Sequence, residues 1–154
     1  VFIVDLLESR LKTGLSLGAS VIIHAAEEDP VEKISKATEG LGVDRSFEAV
    51  GLEKTLQQSV KSLKKGGICV LIGLFEEPRK VNFPVNLFAQ REIQVRGCRG
   101  YCWDFQVALE LIKSRQVQLK PLISHQLSLS DLPGAFEILL DPKSRANKVV
   151  IRMD

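Results

Sequence analysis

The sequence has little of what marks a specialised scaffold. Three cysteines in 154 residues are too few and of the wrong parity for a disulfide framework, and they fit a reducing cytoplasm. Aromatic residues make up 6% of the chain, and the 11 Gly and 6 Pro are dispersed. Collagen-like, low-complexity and disordered classes are therefore excluded. No apolar run approaches the ~18 residues of a membrane span, and no charged-then-apolar stretch of signal type opens the sequence. Neither sign of charge dominates: 21 Lys+Arg stand against 19 Asp+Glu, a net charge of +2. Such a balance gives no electrostatic support for a nucleic-acid or acidic-membrane partner. Internal repeats and flexible linkers are also missing.

What remains is a chain that is 45% hydrophobic and 26% charged, long enough for one domain with a real core. It opens on Val1-Phe2-Ile3-Val4, an apolar run without polar alternation that reads as a strand buried on both faces. A natural domain seldom starts in such a strand, so a fragment is expected. Leu11 and Leu15 give helical spacing over Glu8 to Leu17, with Gly18 as its C-terminal cap. Val21-Ile22-Ile23 is a second strand. Pro30 suits a first helical turn, and the helix from Val31 to Thr38 stops at Gly40. Val43 to Val50 reads as a third strand. Glu53 to Leu63 reads as a helix carrying Leu56, Val60 and Leu63 on one face. Lys61, Lys64 and Lys65 then fall at its end, where cations complement the helix dipole. Ile68 to Ile72 is the longest apolar run, and Glu92 to Arg96 a shorter strand with the charges an edge needs.

Strands separated by helical stretches, without Asn-Gly hairpin signals, predict βαβ units and a parallel sheet. The fold class is α/β, doubly wound, with right-handed crossovers. Beyond Gly97 the pattern predicts a helix from Trp103 to Lys113, with Phe105, Leu109 and Ile112 on one face. A polar connector leads to Pro121. A second helix, capped by Ser130, passes through Ala135, Phe136, Leu139 and Leu140 until Asp141-Pro142 stops it. Lys148 to Ile151 closes the chain as a strand.

Ligands of doubly wound sheets sit at the carboxyl ends of the strands. Asp5 ends the first strand, where a carboxylate can accept both ribose hydroxyls of an adenosine and repel a 2′-phosphate. It could equally cap the next helix. Arg10 could cover an adenine or lie on a solvated helix face. Phe47-Glu48-Ala49-Val50-Gly51 and Ile72-Gly73-Leu74 end later strands, with glycines that let a ligand approach the backbone. Cys98 and Cys102 lack the second pair or neighbouring histidine of a four-ligand zinc site, so they read as structural cysteines. His24 and His125 read as packing or hydrogen-bonding residues, since neither is paired with a nucleophile or acid.

Seven stretches occur in a telling order: Val4 to Leu11, Gly18-Ala19-Ser20, Gly42 to Gly51, Lys64 to Gly67, Arg96 to Cys102, Pro121 to His125, and Asn147 to Ile151. In that order the chain resembles the C-terminal half of the medium-chain, zinc-containing alcohol dehydrogenases, nearest the sorbitol and threonine dehydrogenase branch. The resemblance implies a Rossmann-type sheet without its first strand or glycine-rich turn. Residues 1–123 would be the remainder of the dinucleotide domain, and residues 124–154 would return to the catalytic domain. Asp5 looks like the ribose-binding acid, favouring NAD over NADP, and Arg10 like the adenine-side cation. Ala49 and Val50 fall beside the adenosine half of the cofactor, and Ile72, Gly73 and Leu74 beside the nicotinamide ribose. Cys98 and Arg99 match the loop whose main chain holds the carboxamide, and Lys148 a basic residue able to reach the pyrophosphate. Sorbitol-type members carry Arg-Tyr where this chain has Gly100-Tyr101, so an arginine contact is missing although Tyr101 could still line a substrate pocket.

The family's G-x-G-x-x-G turn, its zinc ligands and its proton relay are not among these residues. No catalytic residue and no metal ligand is therefore expected here. The implied parent is a cytoplasmic, zinc-dependent NAD dehydrogenase acting on a secondary alcohol or polyol. It would be a homodimer or tetramer joined through the Glu92–Arg96 edge, and the 154-residue chain alone would be inactive. A zinc-free quinone or enoyl reductase on the same scaffold is the alternative enzyme. A non-catalytic nucleotide-binding or oligomerisation module is the alternative outside enzymes.

Overall fold

The computed structural model describes residues 1–76, 80–83, 85–100 and 103–153, apart from the side chain of Pro142. It divides into two compact units, one made of residues 1–25 and 102–154 and the other of residues 26–101.

In the first unit, β1 (Phe2–Asp5) and β2 (Val21–His24) pair in parallel, with Phe2 opposite Val21 and Asp5 opposite His24. The crossover helix α1 (Glu8–Ser16) lies tight on β1, where a Cβ at Gly14 would press on the Ile3 side chain. Leu11 and Ile23 are fully buried and form this unit's centre. Its second half is another parallel pair, β6 (Ile123–Ser128) with β7 (Lys148–Arg152), and α6 (Leu132–Leu140) connects the two strands. β6, just beyond the polar connector that ends at Pro121, is a strand the sequence pattern did not predict. Ser130 does not cap α6. A 3-10 turn over Leu129–Asp131 precedes the helix, and the Ser130 hydroxyl bonds that of Ser128 at 2.6 Å. α5 (Asp104–Lys113) begins one residue later than expected, after Trp103 in a left-handed conformation.

The second unit holds α2 (Pro30–Ala37), β3 (Val43–Glu48), α3 (Glu53–Lys61), β4 (Leu63–Leu71), α4 (Val85–Arg91) and β5 (Gln94–Gly97). Asp29 caps α2 by accepting from the Val31 and Glu32 amides, and Pro30 takes the first-turn position expected of it. The sheet is parallel in the order β3-β4-β5. Leu56, Val60, Leu63, Cys69 and Ile93 form its core, lined by Phe83 and Phe88 among others. Among the described residues β1 and β3 each pair on one side only.

All three strands of this unit differ in extent from the sequence expectation. β3 ends at Glu48, so Ala49 and Val50 lie beyond the strand. β4 begins at Leu63, so Lys64 and Lys65 lie in a strand and only Lys61 ends the helix. There Val43 faces Leu63 while Arg45 faces Ile68, so residues 64–67 bulge out of the ladder. Gly66, at φ +74°, takes a left-handed conformation within the bulge that glycine adopts without strain. The Arg91 guanidinium donates to the carbonyls of Lys61 and Leu63 and fixes this junction. Finally, the edge strand is Gln94–Gly97 rather than Glu92–Arg96. Glu92 has φ +54°, and Ile93, 7% exposed, belongs to the core. Val95, within the strand, is 37% exposed.

Candidate functional site

Asp5 sits where β1 gives way to the turn before α1. Its Oδ1 accepts from the Leu7 amide at 2.9 Å, which is a turn bond and not a helix cap. The N-cap position of α1 belongs to Leu7, with no side-chain cap bond. Oδ2 faces Arg10 Nη1 at 3.6 Å. Both side chains keep solvent contact, so the pair stabilises little, but one carboxylate oxygen is held by the backbone and the other points at a cation. Lys148 opens β7 in the same unit and is exposed.

The second unit concentrates its order at the ends of β3 and β4. The Glu48 carbonyl accepts from both Ile72 N, at 2.8 Å, and Gly73 N, at 2.9 Å. The Glu48 side chain, with the residue only 1% exposed, turns back on its own loop. Its Oε1 accepts from Val50 N and Gly51 N, each at 2.9 Å, and from Thr55 Oγ1 at 2.8 Å. Oε2 is buried and has no hydrogen-bond partner among the described residues.

The two exit loops touch through glycine. Gly51 has φ +86°, and a Cβ there would come within 3.0 Å of the Leu74 backbone. A Cβ at Gly73 would come within 3.0 Å of Gly51 N, Val50 N and Glu48 Oε2. Only hydrogen fits at either place. Above this clasp Val50, Ile72 and Leu74 stand 62%, 48% and 74% exposed, giving an apolar lip at the carboxyl ends of two parallel strands. Such a lip suits the flat faces of a nucleoside. Cys98 N donates to Leu71 O at 2.9 Å, holding the start of the next loop against β4. Cys98 and Arg99 are exposed.

The sequence-expected residues thus fall in two sets. Asp5, Arg10 and Lys148 are in the first unit; Ala49, Val50, Ile72, Gly73, Leu74, Cys98 and Arg99 are in the second. Tyr101 lies outside the described residues. Glu48 was read only as part of a strand end, and its role as a bonding hub was missed. The available signal was an acidic residue closing a strand immediately before Ala-Val-Gly, a position where burial needs backbone donors.

Other polar groups have local roles. The His125 ring Nδ1 lies 3.0 Å from Ser124 Oγ. Lys64, hydrogen-bonded to Asp44 and adding its charge, holds that carboxyl below the ordinary range. Burial pushes the Cys69 thiol up, and the Glu48 charge adds to the shift. Among the described residues no three His, Cys, Asp or Glu side chains are grouped to hold a metal ion. The described residues therefore offer zinc no fitting donor set. No helix among them is long and apolar enough to cross a membrane.

With that geometry in place, comparison with known proteins defines the class. Residues 1–114 match the family described as zinc-binding dehydrogenase, and the chain belongs to it. D-xylulose reductase of Saccharomyces cerevisiae is 35% identical over 144 residues, covering 89% of this chain and 39% of that protein. Sorbitol dehydrogenase of Gallus gallus is 33% identical over 156 residues, covering all of this chain and 43% of its own. The crystal structure of 2R,3R-butanediol dehydrogenase from Bacillus subtilis superposes with a TM-score of 0.86 at 28% identity, over 99% of this chain and 43% of that one. The chain thus spans about two-fifths of the length of these relatives, and it corresponds to the C-terminal part of a zinc-type medium-chain alcohol dehydrogenase, as its motif order implied.

Proposed function

We propose that this chain is the cofactor-binding portion of an NAD-dependent oxidoreductase that exchanges hydride between a secondary alcohol or polyol and the nicotinamide. Zinc, held by residues outside this chain, would polarise the alcohol oxygen as a Lewis acid. The chain's own residues bind and orient the dinucleotide. Asp5 accepts from the adenosine ribose, and its negative charge disfavours a 2′-phosphate. Arg10 offers the adenine side a cation, and Lys148 offers one to the pyrophosphate. Val50, Ile72 and Leu74 present the apolar lip. The backbone at Gly73, Cys98 and Arg99 supplies close approach and polar contacts on the nicotinamide side, and Tyr101 contributes to the substrate pocket. Residues 124–154 lead back toward the catalytic domain. The exposed edge of β5 (Gln94–Gly97) is the proposed seam of a homodimer or tetramer, pairing with its twofold copy. A cytoplasmic location accords with the sparse cysteines.

The observation that carries this reading is the tethered carboxylate of Asp5, with Oδ1 on the Leu7 amide and Oδ2 toward Arg10. Its test is Asp5→Ala in the intact protein, by steady-state kinetics with NAD and NADP. Losing charge-assisted bonds of about 1.5–3 kcal/mol each, together with one repulsion, should lower the NAD/NADP preference about tenfold or more. An unchanged ratio refutes the assignment.

A further inference from the structure

We infer that Glu48 is a positioning residue for the dinucleotide: a buried carboxylate that locks the two exit loops, residues 49–51 and 72–74, into one rigid platform. The inference rests on the cofactor reading above and adds to it a residue that touches no ligand. The bonding is reciprocal. The Glu48 main-chain carbonyl receives the amides of Ile72 and Gly73 from the β4 exit. Its Oε1 receives the amides of Val50 and Gly51 from the β3 exit and the hydroxyl of Thr55 from the first turn of α3. Five donors from three chain segments thus converge on one residue. Gly73 packs over the same carboxylate, its missing Cβ leaving space that Oε2 and the Val50 and Gly51 amides enclose. The residues so fixed are Val50, Ile72 and Leu74, the exposed apolar side chains of the lip.

The chemistry selects glutamate. The two amides and the hydroxyl need a shared acceptor, which an aliphatic side chain cannot be. Aspartate, one methylene shorter, would not bring an oxygen to all three. Glutamine keeps one acceptor oxygen, so it should preserve the clamp in part. Buried amides left without an acceptor bond water only when the loop opens.

The test uses the intact protein with four substitutions: E48A, E48Q, T55V and, as a control for simple loss of stability, V60A in the core of the same unit. Cofactor affinity is read by NADH fluorescence titration, and loop closure by hydrogen exchange at the Val50 and Gly51 amides. Displacing a platform by a fraction of its loop width should weaken NADH binding by about tenfold or more in E48A. T55V should weaken it several-fold, E48Q less than E48A, and V60A not at all. The cofactor KM should rise in E48A while the alcohol KM stays within about twofold, because only the cofactor loops are disturbed. Exchange at Val50 and Gly51 should quicken in E48A but not in V60A.

The proposal is overturned if E48A binds NADH like the parent, or if V60A, at an equal loss of melting temperature, weakens binding as much. If E48A does not fold, T55V and E48Q decide, and parental affinity in T55V overturns the clamp. If the parent binds neither NAD nor NADP, the cofactor reading fails, and amide exchange alone then decides whether Glu48 holds the loops.

Discussion

A single methyl group placed at Gly73 tests whether the two exit loops are as closely joined as the geometry requires. In Gly73→Ala the new Cβ would meet Gly51 N, Val50 N and Glu48 Oε2, each within 3.0 Å. None of these is the free end of a flexible side chain, since two are backbone atoms and the third belongs to a carboxylate anchored by three donors. Relief must come from backbone displacement, which for overpacking costs about 1–3 kcal/mol. For a domain of this size each kcal/mol lowers the melting temperature by roughly 2–4 °C. The variant should therefore melt roughly 2–12 °C below the parent by circular dichroism. Gly134→Ala is the matched control. It lies in α6 with open space around its absent Cβ, so it should be neutral or stabilise by about 0.4–1 kcal/mol. If Gly73→Ala melts with the parent, or Gly134→Ala loses as much, the loops are not in contact as described. NADH affinity in Gly73→Ala should fall with the displacement of Ile72 and Leu74.

Three further outcomes are expected. Cys69 should resist thiol reagents in the native protein while exposed Cys98 reacts, as mass spectrometry after timed labelling would reveal. Its raised pKa means the native state keeps a proton that the unfolded state loses, so its contribution to stability is complete below the ordinary thiol range and declines as pH rises through it. Removing Cys69 by Ala should flatten that alkaline decline in denaturant titrations. Val95→Pro, by putting a residue without an amide hydrogen into edge strand β5, should shift a dimer or tetramer toward monomer; a parent that sediments as a monomer at micromolar concentration contradicts the proposed seam. The 154-residue chain by itself should bind NAD negligibly, since the glycine-rich phosphate turn is not part of it, and calorimetric binding in the micromolar range would refute that expectation.

The strands most legible in the sequence were those built from β-branched runs. Val1 to Val4, Val21 to Ile23 and Ile68 to Ile72 announced β1, β2 and the second half of β4 because their apolar runs have no polar alternation to obscure them, but the first run is not buried on both faces as expected, since Val1 and Val4 are exposed. β6 was hidden because Ser124, His125, Gln126 and Ser128 interrupt its apolar residues, and its pairing with β7 is a long-range choice. The first half of β4 was hidden for another reason. Lysines and glycines at 64–67 argue locally for a helix end and a loop, and only the neighbouring strands turn them into a bulge. The same limit applies to the site. Asp5, Ile72 and Gly73 could be found from their place at strand ends, whereas Glu48 could not. A carboxylate at a strand end reads as solvent-facing unless the donors around it are known, and those come from a turn and a helix, while a second strand's exit bonds the main-chain carbonyl of the same residue.

The bulge in β4 also has a mechanical meaning. From Ile68 to Leu71 the strand is pinned on both flanks, by Arg45 to Glu48 on one side and Gln94 to Gly97 on the other. Those rungs lead straight to the Gly73 clasp. Residues 64–67 lie before the pinned stretch, at the opposite end of the strand, where the ladder already tolerates surplus chain. The strand is a ruler clamped at both ends, since Arg91 also holds the carbonyls of Lys61 and Leu63 and Gly67 is buried close against Lys64 O. The exposed tip at Lys65 and Gly66 stands outside both clamps, so a probe or tether spliced in there should leave unmoved the scale from which the platform is read.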